Sequence, residues 1–148
     1  MIPATQIKNS EVRELADEAR SFVASHDWCQ KVTAVRLAWA IAGVLGVFQV
    51  DLQPARPDVD STLWVVVGDI PPAYLVQDEA PTWREALRGY VAEMSRWVHA
   101  VKRGLPLDDV IPVAAEPSLE HAEMLAGRLA FIETEFIDAA GGEVDSDT

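Results

Sequence analysis

WCQKVTAVRLAWAIA, residues 28–42, decides the fold. Trp28, Val32, Val35, Trp39 and Ala42 recur at four and three, the spacing of one helix face. Leu37 and Ile41 widen that stripe almost to a full circle, as in a helix buried on most sides. Leu37–Ala42 also alternates large and small residues, as a strand does. The alanines favour helix, because alanine has the highest helix propensity. Asp27 stands where a cap belongs. The stretch therefore predicts a helix over 28–42, with a strand over 37–42 as the rival.

Downstream the period changes. Gly43 and Gly46 punctuate the chain, and Val47–Gln53 alternates, with Phe48, Val50 and Leu52 on one face and Gln49 and Asp51 on the other. That is a half-exposed strand. PARPDVDS, residues 54–61, is a loop by its proline and aspartate content. Leu63–Val67 is apolar on both faces, and Ala73–Gln77 follows after five residues. The short link predicts an antiparallel hairpin that places Leu63–Val67 in the middle of a three-stranded sheet.

Helices flank these strands. Ser10 is the predicted cap of a helix over Glu11–Ser25, whose stripe is Val12, Leu15, Ala16, Ala19, Phe22 and Val23. Thr82-Trp83-Arg84-Glu85 reads as a capping box for a helix to Arg103, with Gly104 as terminator. Leu105–Pro117 reads as irregular, with a short extended piece at Ile111–Val113. Ser118 begins a last helix over Leu119–Ala139. The predicted class is α+β: a small, mainly antiparallel three-stranded sheet packed with about four helices. One domain spans 1–140, and an acidic tail, 141–148, is expected to be disordered.

Composition narrows the function classes. The formal charge of −12 argues against a nucleic-acid partner, because phosphate contacts need surplus Lys and Arg. It suits a basic protein partner. A single cysteine, Cys29, allows no internal disulfide and fits a reducing, cytoplasmic setting. Met1–Asn9 lacks the apolar core of a signal peptide. The longest uncharged run, Leu37–Val50, is too short to span a bilayer, so no membrane role is expected.

The bend Gly68-Asp69-Ile70-Pro71-Pro72 carries the sharpest local signal. An aspartate at a strand end usually accepts an N–H two or three residues on. Here those residues are prolines, which have none. Asp69 is therefore predicted to find its partner at a distance: water, a basic side chain or a metal. Arg84 and Arg88, on the locally basic face of the 82–103 helix, are the expected ion-pair partners. Lys102 shares that face, and Arg96, His99 and Arg103 lie further round the helix.

Other chemistry reads weakly. His26 and Cys29 lie three apart, but one such pair at a predicted helix start is a poor nucleophile signature. Glu120 and His121 are adjacent and point apart on a helix, unlike the three-residue spacing of di-metal bundles. Asp58 and Asp60 lack the glycine and distal glutamate of a calcium loop. Phosphate-loop, dinucleotide, zinc-protease and nucleophile-elbow motifs are absent. No catalytic residue, metal or cofactor is assigned. Of five tryptophans, Trp28, Trp39, Trp64 and Trp97 fall on predicted apolar faces. Trp83, beside Arg84, reads equally as a binding hot spot or as a lid over its helix start.

LWVVVGDIPPAYLV, residues 63–76, followed by EALRGYVAEMSRWVHAV, resembles a small bacterial family of unknown function. Its members carry a Trp-rich strand ending in Gly-Asp-Leu/Ile-Pro, then a Tyr, then a helix with aromatic and Met positions. DWC, residues 27–29, is similar to the start of such domains. The resemblance spans Trp28–Ile137. It implies a compact α+β domain and marks Trp64, Gly68, Asp69, Pro71 and Tyr74 as motif positions. It assigns no activity, and the helix before Asp27 departs from its pattern.

The leading expectation is a non-enzymatic protein-binding module, in one form a toxin-neutralising immunity-type protein. Asp69, Tyr74, Trp83, Arg84, Arg88 and His99 are its candidate binding residues. A small-ligand or metal-assisted enzyme centred on Asp69 is the first alternative. A structural homodimer is the second.

Overall fold

A computed structural model describes residues 1–113 and 116–138, apart from the side chains of Glu79 and Asp138. The expected tail, 141–148, and the expected last residue of the final helix, Ala139, lie outside the described residues. The class is α+β, and the sheet is larger than expected. Among the described residues it has five strands in the order β1-β2-β3-β4-β5, all neighbours antiparallel. These are β1 (Ile2–Pro3), β2 (Cys29–Ile41), β3 (Leu45–Pro54), β4 (Thr62–Gly68) and β5 (Ala73–Val76). Among the described residues three α-helices pack on it: α1 (Ser10–Ala24), α2 (Trp83–Arg103) and α3 (Leu119–Ile132). The chain of α3 continues as a π-helical turn over Glu133–Asp138.

The predicted helix over 28–42 is a strand. Its pairing with β3 shifts register between Cys29 and Lys31, between Val32 and Ala34, and between Leu37 and Trp39. Each shift leaves an extra residue that resets the two-residue alternation. Leu37 therefore packs with α1, while Trp39, two residues on, packs with α2 and α3. Trp28, Val32 and Val35 face α1 while Trp39 faces α2 and α3, so the three-and-four spacing joins side chains from opposite sides of the sheet and imitates one helix face. β1 was not expected at all; it is two residues long and pairs Ile2 with Leu37. The expected extended piece at Ile111–Val113 joins no strand.

The sheet separates two cores. Val35, Leu37, Phe48, Val50, Leu63, Val65 and Val67 face α1, which contributes Val12, Leu15, Ala16, Ala19 and Val23. Trp39, Leu45, Val47, Trp64, Val66 and Ala73 face α2 and α3. Fully burying side chains such as Phe48 or Leu87, both 0% exposed, contributes roughly 2–3 kcal/mol each. Asn9, not Ser10, caps α1: its side chain accepts from Glu11 N and Val12 N. Thr82 caps α2 through Glu85 N at 3.2 Å, and Gly104 closes it in the left-handed region at φ 66°. Those two ends are where the capping box and terminator placed them.

Candidate functional site

Among the described residues β5 is the last strand of the sheet, so one of its long sides faces no other strand. A cavity of about 620 Å³ wraps that side. Residues 72–76 form its floor. Phe22 and His26, at the end of α1, make one wall; Glu85, Gly89, Ala92 and Glu93 of α2 make the other; Ile111, Pro112 and Val113 close an end. The groove exists because α2 carries small residues where it passes over the strand. A Cβ on Gly89 would stand 2.9 Å from Leu75 Cδ2. A larger residue there would press onto β5 and fill the slot.

The α1 wall is aromatic. His26 stacks on Trp28 with ring centroids 4.5 Å apart and planes at 27°. Tyr74 meets both edge-on, at 5.4 and 5.0 Å, and Phe22 meets His26 at 4.9 Å. Rings in edge and offset contact fix one another's orientation. His26 Nδ1 is buried without a hydrogen-bond partner among the described residues. Cys29 is buried, and burial pushes its thiol above the usual range, which suppresses the thiolate a nucleophile needs.

The β5 end of the bend is held from α2. Tyr90 is fully buried and its hydroxyl donates to Pro71 O at 2.6 Å. Burial pushes the phenol far above its ordinary pKa, so it stays a donor. Trp64 donates its indole N–H to Ala80 O, which ties the segment after β5 back to β4.

The residues singled out from sequence do not form one cluster. Tyr74 lies in the groove, 38% exposed. Asp69 lies outside it, in a shallow depression with Glu11, Glu14 and Glu18 of α1. Its partner is neither Arg84 nor Arg88 but Arg128 of α3, with Nη2 to Oδ2 at 3.5 Å. The α2 residue that reaches the bend is Tyr90, while Arg88 pairs with Glu85 at 3.5 Å and Arg84 lies over the Trp83 ring at 4.9 Å. Trp83 is half-buried and stacked on Trp39, with centroids 4.7 Å apart and planes 1° from parallel. His99 lines a separate depression with Arg96, Leu105 and Pro106.

A family model matches residues 5–131, and its description is a domain of unknown function, DUF4826. The chain belongs to this family. No curated protein and no solved structure matches it. The DUF4826 match begins before α1, so the helix preceding Asp27 is part of the family's domain rather than an addition to it. Every residue lining the groove, from Phe22 to Val113, also falls inside the DUF4826 match.

A second polar region sits on the α2 side of the sheet, beyond the helices. Arg36 donates to Gln49 Oε1 at 3.0 Å and to Asp51 Oδ1 at 2.7 Å. Thr62 Oγ1 donates to the same Asp51 oxygen at 3.0 Å, and Gln49 Nε2 reaches Gln77 Oε1 at 3.1 Å. Among the described residues no three His, Cys, Asp or Glu side chains are placed to hold one metal ion. No helix among them is long and apolar enough to cross a membrane.

Sequence reasoning missed most of the groove. The helical stripe of α1 places Phe22 in the core, and no motif marks Gly89 or Ala92. The available signal was the pair Gly89 and Ala92, three apart on α2 beside the buried Tyr90 and Val91. Two small residues at that spacing flatten one side of a helix otherwise built from large side chains.

Proposed function

We propose that this protein is a non-enzymatic protein-binding module whose working surface is the groove along β5. One observation carries the reading: an apolar slot of about 620 Å³ lies against a sheet edge that no other strand covers among the described residues. Apolar concave surface with a few placed polar groups is where recognition energy concentrates. Tyr74 is the exposed aromatic anchor in it. The charge of −12 favours a basic partner, and a toxin-neutralising role is a concrete form of that reading. The single thiol suits a cytoplasmic location.

Ala92→Trp tests the surface. Ala92 is exposed on the groove wall, so an indole there fills the slot without entering the core. Both forms are immobilised and exposed to a lysate of the source cells, and their thermal unfolding is compared. The expected result is a protein retained by the natural chain and lost from the variant, with unfolding unchanged. Identical retention by the two forms removes the groove as the binding surface.

A further inference from the structure

We infer that the groove takes an extended, basic segment of a different protein, which adds to β5 as a sixth strand. This deepens the protein-binding reading above and rests on it. The hydrogen-bond parity of the sheet carries the inference. Leu52 N donates to Ser61 O at 2.9 Å, and Asp69 N donates to Val44 O at 2.8 Å. The β3–β4 register runs without a shift between those two bonds. In an antiparallel ladder a residue's N–H and C=O turn to the same side, and that side alternates along the strand. Ser61, Leu63, Val65, Val67 and Asp69 therefore turn their amides toward β3, and Thr62, Trp64 and Val66 turn theirs toward β5. Their β5 partners are Leu75, opposite Trp64, and Ala73, opposite Val66. Among the described residues Tyr74 and Val76 are left with their N–H groups, and Tyr74 with its C=O, aimed into the groove.

Those groups recur every second residue, about 7 Å apart, which is the repeat an added strand presents. Side chains of the added strand alternate between the walls. On one side they meet the rings of Phe22, His26 and Tyr74; on the other they pass the small Gly89 and Ala92 and reach Glu85 and Glu93. The two glutamates are the acidic side chains lining the groove; each is paired with an exposed arginine one turn on, Glu85 with Arg88 at 3.5 Å and Glu93 with Arg96 at 3.2 Å, and such exposed pairs exchange readily for a lysine or arginine of the partner. Apolar or aromatic residues alternating with Lys or Arg match both walls. A second copy of this chain fits less well, because each copy brings a charge of −12 and the same two glutamates. Pro71 and Pro72 lead into β5 and keep the exposed edge to four residues, a length that limits indiscriminate pairing.

The test selects peptides from a displayed random library on the immobilised full chain. Enriched sequences are expected to alternate β-branched or aromatic residues with Lys or Arg. A synthetic peptide of the enriched sequence is then measured on variants. Val76 has φ −73°, which proline adopts without strain, so Val76→Pro deletes one outward N–H and leaves the β4 ladder intact. It should weaken binding by about threefold to tenfold, the scale of one hydrogen bond. Val76→Ala, which keeps the N–H, should weaken it by less than about twofold. Amide exchange of the natural chain adds a readout that needs no variant: Tyr74 and Val76 should slow when the peptide binds. Enrichment lost on Ala92→Trp but unaffected by Val76→Pro, with exchange unchanged, keeps the groove and overturns strand addition. Acidic or Pro-rich winners overturn the partner's chemistry. Sedimentation as a dimer that Val76→Pro dissociates makes the occupant a second copy and overturns the inference. No enrichment over Ala92→Trp overturns this inference and the binding surface together.

Discussion

The sheet treats its polar groups in two ways. At Arg36, Gln49 and Asp51 they are answered from inside: guanidinium, amide and carboxylate bond to one another and to Thr62 and Gln77. Gln49 is 8% exposed, and such a group is stable in a core only because it is bonded. At β5 the outward amides of Tyr74 and Val76 face a groove instead. The first region holds β2, β3 and β4 in register; the second leaves backbone hydrogen bonds for something else to complete. A closed polar network and an open sheet edge lie on neighbouring strands. On the proposed reading, recognition follows unpaired backbone rather than polar side chains.

The largest expected effect strikes the point from which both regions hang. Gly68 ends β4 with φ 144°, and a Cβ there would lie 2.3 Å from Val44 O and 2.5 Å from Leu45 Cα. Both are backbone atoms and cannot turn aside. Gly68→Ala should cost about 3 kcal/mol through backbone strain and displacement of β3. Urea unfolding measures that loss. Binding of the selected peptide should fall with it, because the bend that places β5 is moved. A Gly68→Ala protein with natural stability would mean that the end of β4 is soft, and the fixed position assumed for the edge would be lost.

Arg36→Ala probes the closed region alone. It strips Asp51 of its charged partner and leaves Gln49 Oε1 unanswered. Both members of the ion pair are 29% exposed, so water compensates only in part. The expected cost is about 2 kcal/mol, again by urea unfolding. The double change Arg36→Met with Asp51→Leu should recover much of it, because an absent pair costs less than a broken one. Peptide binding should not change. Loss of binding in Arg36→Ala would couple the two regions and break the contrast between them.

Legibility followed locality. The capping box at Thr82, the stop at Gly104, the stripe of α1 and the spans of β3, β4 and β5 are set by residues within a few positions, and they stood in the sequence. β2 did not, because its bulges are answered by β3 and its large side chains, divided between the two sheet faces, fall at a helical spacing in the sequence. β1 is two residues long and owes its existence to β2. At the bend, the missing proline N–H groups pointed away from a local partner for Asp69. Which arginine would meet it depended on the packing of α3, a helix 50 residues further on. Tyr74 was chosen from its motif position, while the groove around it required knowing that β5 is an edge.

The smallest expected effect belongs to Asp69 itself, the residue the sequence made most conspicuous. Its side chain is 75% exposed and that of Arg128 is 43% exposed, with 3.5 Å between them. Water solvates both ions nearly as well as they solvate each other, and ordering two side chains costs entropy. Asp69→Asn should therefore change stability by no more than about 0.5 kcal/mol. The difference from the natural chain should shrink further in about 1 M salt, where screening acts within ~3 Å. The Asp69 backbone N–H, bonded to Val44 O, is untouched by the change and keeps the strand end in place. A loss above about 1 kcal/mol that persists in salt would mean that this carboxylate is answered from inside, as Asp51 is. The corner would then join the closed region, and the boundary between closed and open sheet would fall between Asp69 and Tyr74 rather than at β4.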